Sequence, residues 1–171
     1  MPGAAVALRR LHTQGYIFVV VSNQAGVAKG LFQESHLQPV RYKVESLLQS
    51  EGIELAGFYY CPHHPEGLVA EFRLSCSCRK PADGMIRTAG RELSIDLQRS
   101  WMIGDILNDV ESGNRAGCRS ILLNYGNETE WLDGPFRKPD FVASDLVQAA
   151  DFIINTPIYG KYDNQDVSVA Y

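Results

Sequence analysis

The stretch YIFVVVSN (residues 16–23) joins a continuous apolar run to two polar residues. Such a run, rich in β-branched residues, is typical of a strand buried on both faces, as in parallel sheets. Other short segments share this character and end in polar or small residues: ELAGFYYC (54–61), SWMIGD (100–105), CRSILLN (118–124) and PDFVASD (139–145). The sequence therefore predicts five short strands.

Segments with helical character alternate with these strands, at residues 2–15, 35–52, 81–95, 106–117 and 144–154. We expect Pro39, in the second segment, to delay the regular helix until about that residue. The alternation predicts an α/β fold with a parallel sheet flanked by helices on both faces. We expect one domain over residues 1–155 and a loosely packed C-terminal extension over 156–171.

Composition and charge exclude several classes of partner. The 171 residues are 45% hydrophobic and 21% charged, with a formal net charge of −4 and no long run of one sign. Nucleic acid is therefore not an expected partner, because binding to its phosphate backbone needs a clustered basic face. The longest apolar run, at 16–21, is too short to span a bilayer, and no secretion leader opens the chain. We expect a cytoplasmic monomer.

A cysteine-rich stretch, CPHHPEGLVAEFRLSCSC (61–78), contains three of the four cysteines. Its pattern is C-x-H, twelve residues, then C-x-C, which offers one nitrogen and three sulfurs for a tetrahedral Zn²⁺ site. The loop has too little apolar material to hold a fixed shape unaided, so a structural zinc would stabilise it. The alternative is a loop with two free thiols and a third that is buried. We expect Cys61, His63, Cys76 and Cys78 to bind structural zinc.

Groups suited to phosphate follow the predicted strands. Ser22 and Asn23 follow the first strand, Arg79 and Lys80 follow the cysteines, and Asp105 ends a later strand, with Asp109 four residues on. Ligands of open α/β sheets bind at the carboxyl ends of the strands, so these groups should converge there. Hydroxyls, amides and cations bind phosphoryl oxygens, and carboxylates hold Mg²⁺. Singly, each piece reads as an ordinary turn, solvated face or helix cap. Together and in this order they favour a phosphate site.

The ordered set S-N-Q, C-x-H…C-x-C, R-K-P and G-D-x-x-x-D resembles the haloacid-dehalogenase (HAD) phosphatase superfamily. Within it, the long cysteine loop is similar to the zinc-loop branch, which includes heptose 1,7-bisphosphate 7-phosphatases and histidinol-phosphatases. The resemblance implies a Rossmann-like fold in which the zinc loop, at residues 61–80, replaces a cap domain and shapes the substrate entrance. It also implies Mg²⁺-dependent hydrolysis of a small phosphorylated sugar through an aspartyl-phosphate. The length of the cysteine loop resembles that of the heptose enzymes more than the shorter loop of the histidinol-phosphatases, so the expected substrate is the 7-phosphate of heptose 1,7-bisphosphate.

The resemblance assigns roles to single residues. Ser22 would bind phosphate, Asn23 would contact the substrate, and Lys80 with Arg79 would supply the basic motif. Asp105 would bind Mg²⁺, with Asp109 supporting the metal site. The residue after Gly-Asp departs from the pattern, because Ile106 stands where the heptose enzymes often have lysine or another polar residue. This departure leaves the substrate open.

The superfamily's attacking and proton-transferring carboxylates lie in a D-x-D motif on its first strand, and no two aspartates of these 171 residues are two positions apart. The resemblance places that strand at the centre of the sheet, between the strands ending at Ser22 and Asp105. We therefore expect a gap or rearrangement there, and no turnover by the chain as written. Two alternatives to a heptose-bisphosphatase stay open: a histidinol or other sugar-phosphate phosphatase, and a non-catalytic zinc-bearing phosphate binder.

Overall fold

The computed structural model describes residues 3–129 and 131–157. All five predicted strands are present, each trimmed by a few residues at its ends. They are β1 (Phe18–Asn23), β2 (Leu55–Cys61), β3 (Trp101–Gly104), β4 (Arg119–Leu123) and β5 (Phe141–Ala143). The predicted extension from residue 156 lies almost wholly outside the described residues.

The five predicted helices are also present, and a short unpredicted one follows β1. The helices are α1 (Ala4–Thr13), α2 (Ala25–Ala28), α3 (Leu37–Gln49), α4 (Gly84–Glu92), α5 (Leu107–Ala116) and α6 (Leu146–Asn155). The regular helix of the second segment is delayed, as expected, because a 3-10 turn at Glu34–His36 precedes α3, although α3 begins at Leu37, two residues before Pro39. Proline is tolerated in the first turn of a helix, where its missing N–H would have had no intrahelical partner. No described helix is long and apolar enough to cross a membrane.

The strands form two separate parallel sheets. β1 pairs with β2, while β3, β4 and β5 pair in that order. No backbone hydrogen bond joins β1 to β3 in the described part of the chain. The gap expected between the strands ending at Ser22 and Asp105 is therefore present.

Helices cover both faces of the two sheets and span the gap. On one face, α1 packs against α6, and their buried residues share a cluster with Ile121 and Leu123 of β4. Phe18 of β1 and Trp101 of β3 pack against the same cluster, so this face joins the two sheets. On the other face, α4 contacts β1, β2 and α5. Packing of side chains from the helices thus replaces the missing hydrogen bonds between strands.

Close approach of α5 to β3 depends on a glycine. A Cβ atom at Gly113 would lie 2.4 Å from the Met102 Cβ atom, which is fixed to the β3 backbone and has no freedom to move aside. Gly117 then ends the helix in the left-handed region, at a φ of 93°. These two glycines place α5, and with it Asp109, against β3.

We predict that Gly113→Ala lowers the free energy of unfolding by about 1–3 kcal/mol, because overpacking forces the helix away from the strand. Urea unfolding followed by circular dichroism measures this loss. Gly134→Ala is the matched control, since its new Cβ would meet only the flexible Arg137 side chain, at 3.1 Å. We expect the control to stay within about 0.5 kcal/mol of the wild type. Equal losses in both variants would contradict the packing argument.

Candidate metal centre and phosphate site

The four predicted zinc ligands form one cluster. The Sγ atoms of Cys61, Cys76 and Cys78 and a ring nitrogen of His63 all lie within 4.8 Å of one another. The Cys78 Sγ atom is 3.1 Å from each of the other two sulfurs, and the sulfurs of Cys61 and Cys76 are 3.5 Å apart. The His63 Nδ1 atom lies 3.6 Å from the Cys61 sulfur and 3.4 Å from that of Cys78.

This arrangement fits a tetrahedral zinc ion. Zn–S bonds of about 2.3 Å and Zn–N bonds of about 2.0 Å imply tetrahedral edges of about 3.8 Å between sulfurs and about 3.5 Å between nitrogen and sulfur. The nitrogen–sulfur distances to Cys61 and Cys78 match these edges, and the three sulfur–sulfur distances would lengthen by about 0.3 to 0.7 Å on binding. The donor set, one imidazole and three thiolates, is also one that zinc prefers.

The pKa values of the three thiols also favour a bound cation. Burial raises the pKa of Cys61 and of Cys78, and nearby thiols raise that of Cys78 further. Burial also opposes ionisation of Cys76, but hydrogen bonds from the thiols of Cys78 and Cys61 lower the pKa of Cys76 overall. Three thiolates at these distances repel one another strongly, so a cation is needed for all three to be ionised together.

The cysteine loop continues from the end of β2, which lies directly beside the end of β1. Cys61 is the last residue of β2 and stands opposite Asn23 in the parallel register. The loop also returns to α2, because the backbone N–H groups of Leu68 and Val69 both donate to the carbonyl of Ala28. The metal cluster is therefore adjacent to the polar residues that end β1.

Lys80 connects β1 of the first sheet to α5, the helix that packs against β3 of the second sheet. Its backbone N–H donates to the Asn23 side-chain oxygen at 3.0 Å, and the Asn23 amide donates back to the Lys80 carbonyl at 3.0 Å. The Lys80 ammonium donates to the carbonyl of Val21 in β1 at 2.9 Å and lies 2.6 Å from the Asp109 Oδ1 atom of α5. The Asp109 side chain is buried and the Lys80 side chain is nearly so, with exposures of 5% and 10%.

Asp109 and Asp105 occupy different environments at the end of β3. The Oδ2 atom of Asp109 accepts hydrogen bonds from the backbone N–H groups of Asp105 and Ile106, at 3.1 and 3.4 Å. Its Oδ1 atom is buried and accepts no well-directed hydrogen bond from the described residues, although the Lys80 ammonium is close. Asp105 is exposed, and its Oδ2 atom accepts a hydrogen bond from Asn127 at 2.8 Å. The exposed carboxylate is thus available to a ligand.

Three further residues contribute to this end of β3 and were not predicted from the sequence. Gly104 lets Asp109 approach, because a Cβ atom at position 104 would lie 2.1 Å from the Cβ atom of Asp109. Asn127 contacts Asp105, and the carboxylate of Glu128 accepts a hydrogen bond from the backbone N–H of Leu107. The glycine in the quoted G-D-x-x-x-D motif was a usable signal, whereas nothing in the sequence marked Asn127 or Glu128.

The remaining predicted site residues lie around this centre. The Ser22 hydroxyl accepts a hydrogen bond from Gln24 at 2.8 Å, at the end of β1. Arg79 donates to the backbone carbonyl of His63 at 3.3 Å, so its guanidinium contacts the cysteine loop. The phosphate contacts expected of Ser22 and Arg79, and the substrate contact expected of Asn23, stay predictions.

Comparison with known proteins decides the family. A family profile described as HAD-hydrolase-like matches residues 77–149. A D-glycero-β-D-manno-heptose-1,7-bisphosphate 7-phosphatase from Photorhabdus laumondii is 38% identical over 155 residues, covering 90% of this chain and 76% of that protein. The corresponding enzyme of Haemophilus ducreyi is 37% identical over 152 residues, covering 88% of this chain and 82% of that protein. The chain belongs to the HAD-like phosphatases.

A solved structure supports the same assignment for this HAD-like chain. D,D-heptose 1,7-bisphosphate phosphatase from B. bronchiseptica, complexed with magnesium and phosphate, superposes with a TM-score of 0.76 at 31% sequence identity. The match covers 90% of this chain and 83% of that protein. The resemblance drawn from the motifs is confirmed, as is the α/β fold with parallel strands flanked by helices.

We predict about one zinc per chain, measured by elemental analysis of protein purified without chelators. Cys78→Ala should reduce the content to well below one, because it removes the sulfur closest to both other sulfurs. Cys118→Ala is the matched control, since Cys118 packs against Met102 and Ile86 in the core, outside the metal cluster. We expect the control to keep its zinc. A wild-type chain without zinc, or equal loss in both variants, would contradict the assignment.

Proposed function

We propose that this chain forms the phosphate- and metal-binding part of a cytoplasmic, monomeric phosphatase that removes the 7-phosphate of a heptose 1,7-bisphosphate. The observation that carries the proposal is the meeting of Lys80, Asp109 and Asp105 at the carboxyl ends of β1 and β3. The names of the relatives at 37–38% identity supply the substrate class. A reducing compartment would keep the three thiols available to zinc.

Lys80 is suited to hold a phosphoryl oxygen. An ammonium has three N–H donors. One of them donates to the Val21 carbonyl, and the Asp109 carboxylate lies 2.6 Å away as the counter-ion without accepting a well-directed hydrogen bond. A further N–H is proposed to donate to a ligand at the end of the sheet. Ser22 follows Val21 directly, and we assign its hydroxyl as a second donor to the same phosphoryl group. Asn23 acts on phosphate indirectly, because its amide fixes the Lys80 backbone.

The acidic residues fit a magnesium ion. Mg²⁺ prefers oxygen ligands and is usually bound by one or two carboxylates together with phosphate oxygens. Asp105 offers an exposed carboxylate at the end of β3, and the buried Oδ1 atom of Asp109 accepts no well-directed hydrogen bond from described residues. We propose Asp105 as the direct ligand and Asp109 as the residue that orients the loop beneath it. A bound Mg²⁺ would neutralise negative charge on the phosphoryl group.

The cysteine loop, held by zinc, is proposed to form the wall of the sugar-binding entrance. The position of the loop supports this proposal. Cys61 stands opposite Asn23, and Arg79, the residue before Lys80, donates a hydrogen bond to the His63 carbonyl in the loop. Ile106 offers the substrate no polar side chain at the start of α5, and its backbone N–H is engaged by Asp109. Discrimination among sugar phosphates therefore falls to the cysteine loop.

A second candidate function, phosphate-ester binding without turnover, is favoured by one observation. None of the aspartates in the 171 residues forms a D-x-D pair that would attack phosphorus and then transfer a proton. Positioning and charge stabilisation do not replace an absent nucleophile. We therefore propose that the 171-residue chain binds sugar phosphate with Mg²⁺ and that turnover requires a carboxylate from outside these residues.

We predict that the purified chain binds heptose 1,7-bisphosphate in the presence of Mg²⁺ but releases no phosphate above background. Calorimetry measures binding, and a colorimetric phosphate assay measures release. Asp105→Asn should weaken Mg²⁺-dependent binding by about tenfold or more, since it removes the charged metal ligand. Asp133→Asn is the control, because Asp133 is also exposed and lies outside the G-D-x-x-x-D motif.

Two outcomes would contradict the proposal. Mg²⁺-dependent phosphate release by the purified chain would overturn the claim that it lacks turnover. Equal affinity of wild type and Asp105→Asn would overturn the metal assignment. Histidinol phosphate serves as the competing ligand, and a preference for it over the heptose bisphosphate would overturn the substrate class.

A further inference from the structure

The loop that follows β4 contacts both the proposed metal ligand and the helix beside it. β3 and β4 are parallel neighbours, so their carboxyl ends lie side by side and the loop begins next to Asp105. We call residues 124–129 the β4 loop. The chain turns at Gly126, whose φ of 79° lies in the left-handed region that favours glycine. This turn precedes Asn127 and Glu128, the two residues of the β4 loop that reach the start of α5.

Asn127 holds one of the two carboxylate oxygens of Asp105. Its side-chain amide donates to the Asp105 Oδ2 atom at 2.8 Å. The Oδ1 atom accepts no hydrogen bond from the residues that the structure describes, and Asp105 is exposed. The two oxygens of this carboxylate therefore differ, because the protein engages one of them and leaves the other open to a ligand.

A second contact fixes the β4 loop to α5. The carboxylate of Glu128 accepts a hydrogen bond from the backbone N–H of Leu107, the first residue of α5. Ile106, which precedes the helix, has no side-chain oxygen with which to cap it. Glu128 takes the place of such a cap, so Asn127 is adjacent in the chain to a residue fixed on α5. The hydrogen bond from Asn127 to Asp105 thus joins two anchored segments.

The number of carboxylate oxygens offered to a cation affects which cation binds. Mg²⁺ demands near-ideal octahedral geometry at about 2.0–2.1 Å, which does not accommodate the narrow angle between the two oxygens of one carboxylate. Ca²⁺ takes about six to eight oxygens at about 2.3–2.6 Å and accepts both oxygens of one carboxylate. An amide N–H directed at one oxygen places partial positive charge beside it and disfavours a cation at that atom. A carboxylate held in this way suits Mg²⁺ better than Ca²⁺.

We propose that Asn127 is a positioning residue that makes Asp105 a one-oxygen ligand and thereby favours Mg²⁺ over Ca²⁺ at the end of β3. This inference rests on the proposed function only for the assignment of Asp105 as the direct metal ligand. It depends neither on the identity of the sugar nor on turnover. The hydrogen bond sets the selectivity, because the same carboxylate with both oxygens free offers Ca²⁺ a two-oxygen contact.

Competition against Mn²⁺ measures both affinities on the purified, zinc-loaded chain. Mn²⁺ binds oxygen ligands, and its free fraction is followed by electron paramagnetic resonance while Mg²⁺ alone or Ca²⁺ alone is added. The readout is the ratio of the Kd for Ca²⁺ to the Kd for Mg²⁺. A substitution that only loosens the β4 loop weakens both cations together and leaves this ratio unchanged. Zinc content shows that each variant is folded.

We expect Asn127→Ala to lower the ratio by about three- to tenfold, because it releases the second oxygen of Asp105. Asn127→Gln keeps an amide donor and should restore most of the wild-type ratio. Asn124→Ala is the matched control, since Asn124 is an exposed residue of the same loop whose side chain makes no hydrogen bond with the described residues. We expect the control to keep the wild-type ratio.

The outcomes separate this inference from the proposed function. An unchanged ratio in Asn127→Ala, with Mg²⁺ bound by the wild type and lost in Asp105→Asn, would overturn the role of Asn127 and leave the metal ligand standing. An equal fall in Asn124→Ala, or a ratio in Asn127→Gln as low as in Asn127→Ala, would also overturn that role. A wild-type chain that binds neither cation would overturn both assignments. The expected change in ratio without binding of heptose 1,7-bisphosphate would support Asn127 as the positioning residue and count against the proposed substrate.

Discussion

One largely buried ion pair, between Lys80 and Asp109, connects the end of β1 to α5, the helix that packs against β3. The strands before and after the gap share no hydrogen bond in the described residues, so the relative position of β1 and β3 depends on helix packing and on this contact. Burying two charges costs free energy that the attraction repays only when other hydrogen bonds satisfy both groups. Here Val21 and Asn23 hold the lysine, and two backbone N–H groups hold the aspartate. The pair therefore contributes more to position than to net stability.

The cysteine cluster and the ion pair act on the same few residues. Cys78 lies two positions before Lys80, and Cys61 stands beside Asn23, whose amide fixes the Lys80 backbone. A metal bound to the four ligands would restrict the chain on both sides of the lysine. The proposed zinc thus serves two purposes at once, because fixing the shape of a loop poor in apolar residues also fixes the direction of the proposed phosphate-binding cation.

The sequence was a good guide wherever one local pattern determined structure. The apolar run before Ser22 indicated a buried parallel strand, and the spacing C-x-H…C-x-C brought four ligands together. The sequence was a poor guide where the role of a side chain depends on contacts with residues far away along the chain. The amide of Asn23 serves the lysine backbone, and Arg79 contacts the cysteine loop, because folding brings together residues separated by 57 and 16 positions. Asn127 and Glu128 carried no signal, since their contacts with the residues after β3 arise only from the path of a later loop.

The described residues combine a gap between two parallel sheets with a sequence that has no D-x-D pair. A central strand supplies backbone partners to both neighbours and places its own terminal residue between theirs. No such strand lies between β1 and β3 in the described residues. The two strands are held in place by the helices that pack on both faces and by the Lys80–Asp109 pair. The groups proposed to bind phosphate and metal are therefore held in place although the sequence has no D-x-D pair. Under the proposed function, recognition depends on the strands that flank the gap, and turnover depends on a carboxylate that these residues do not supply.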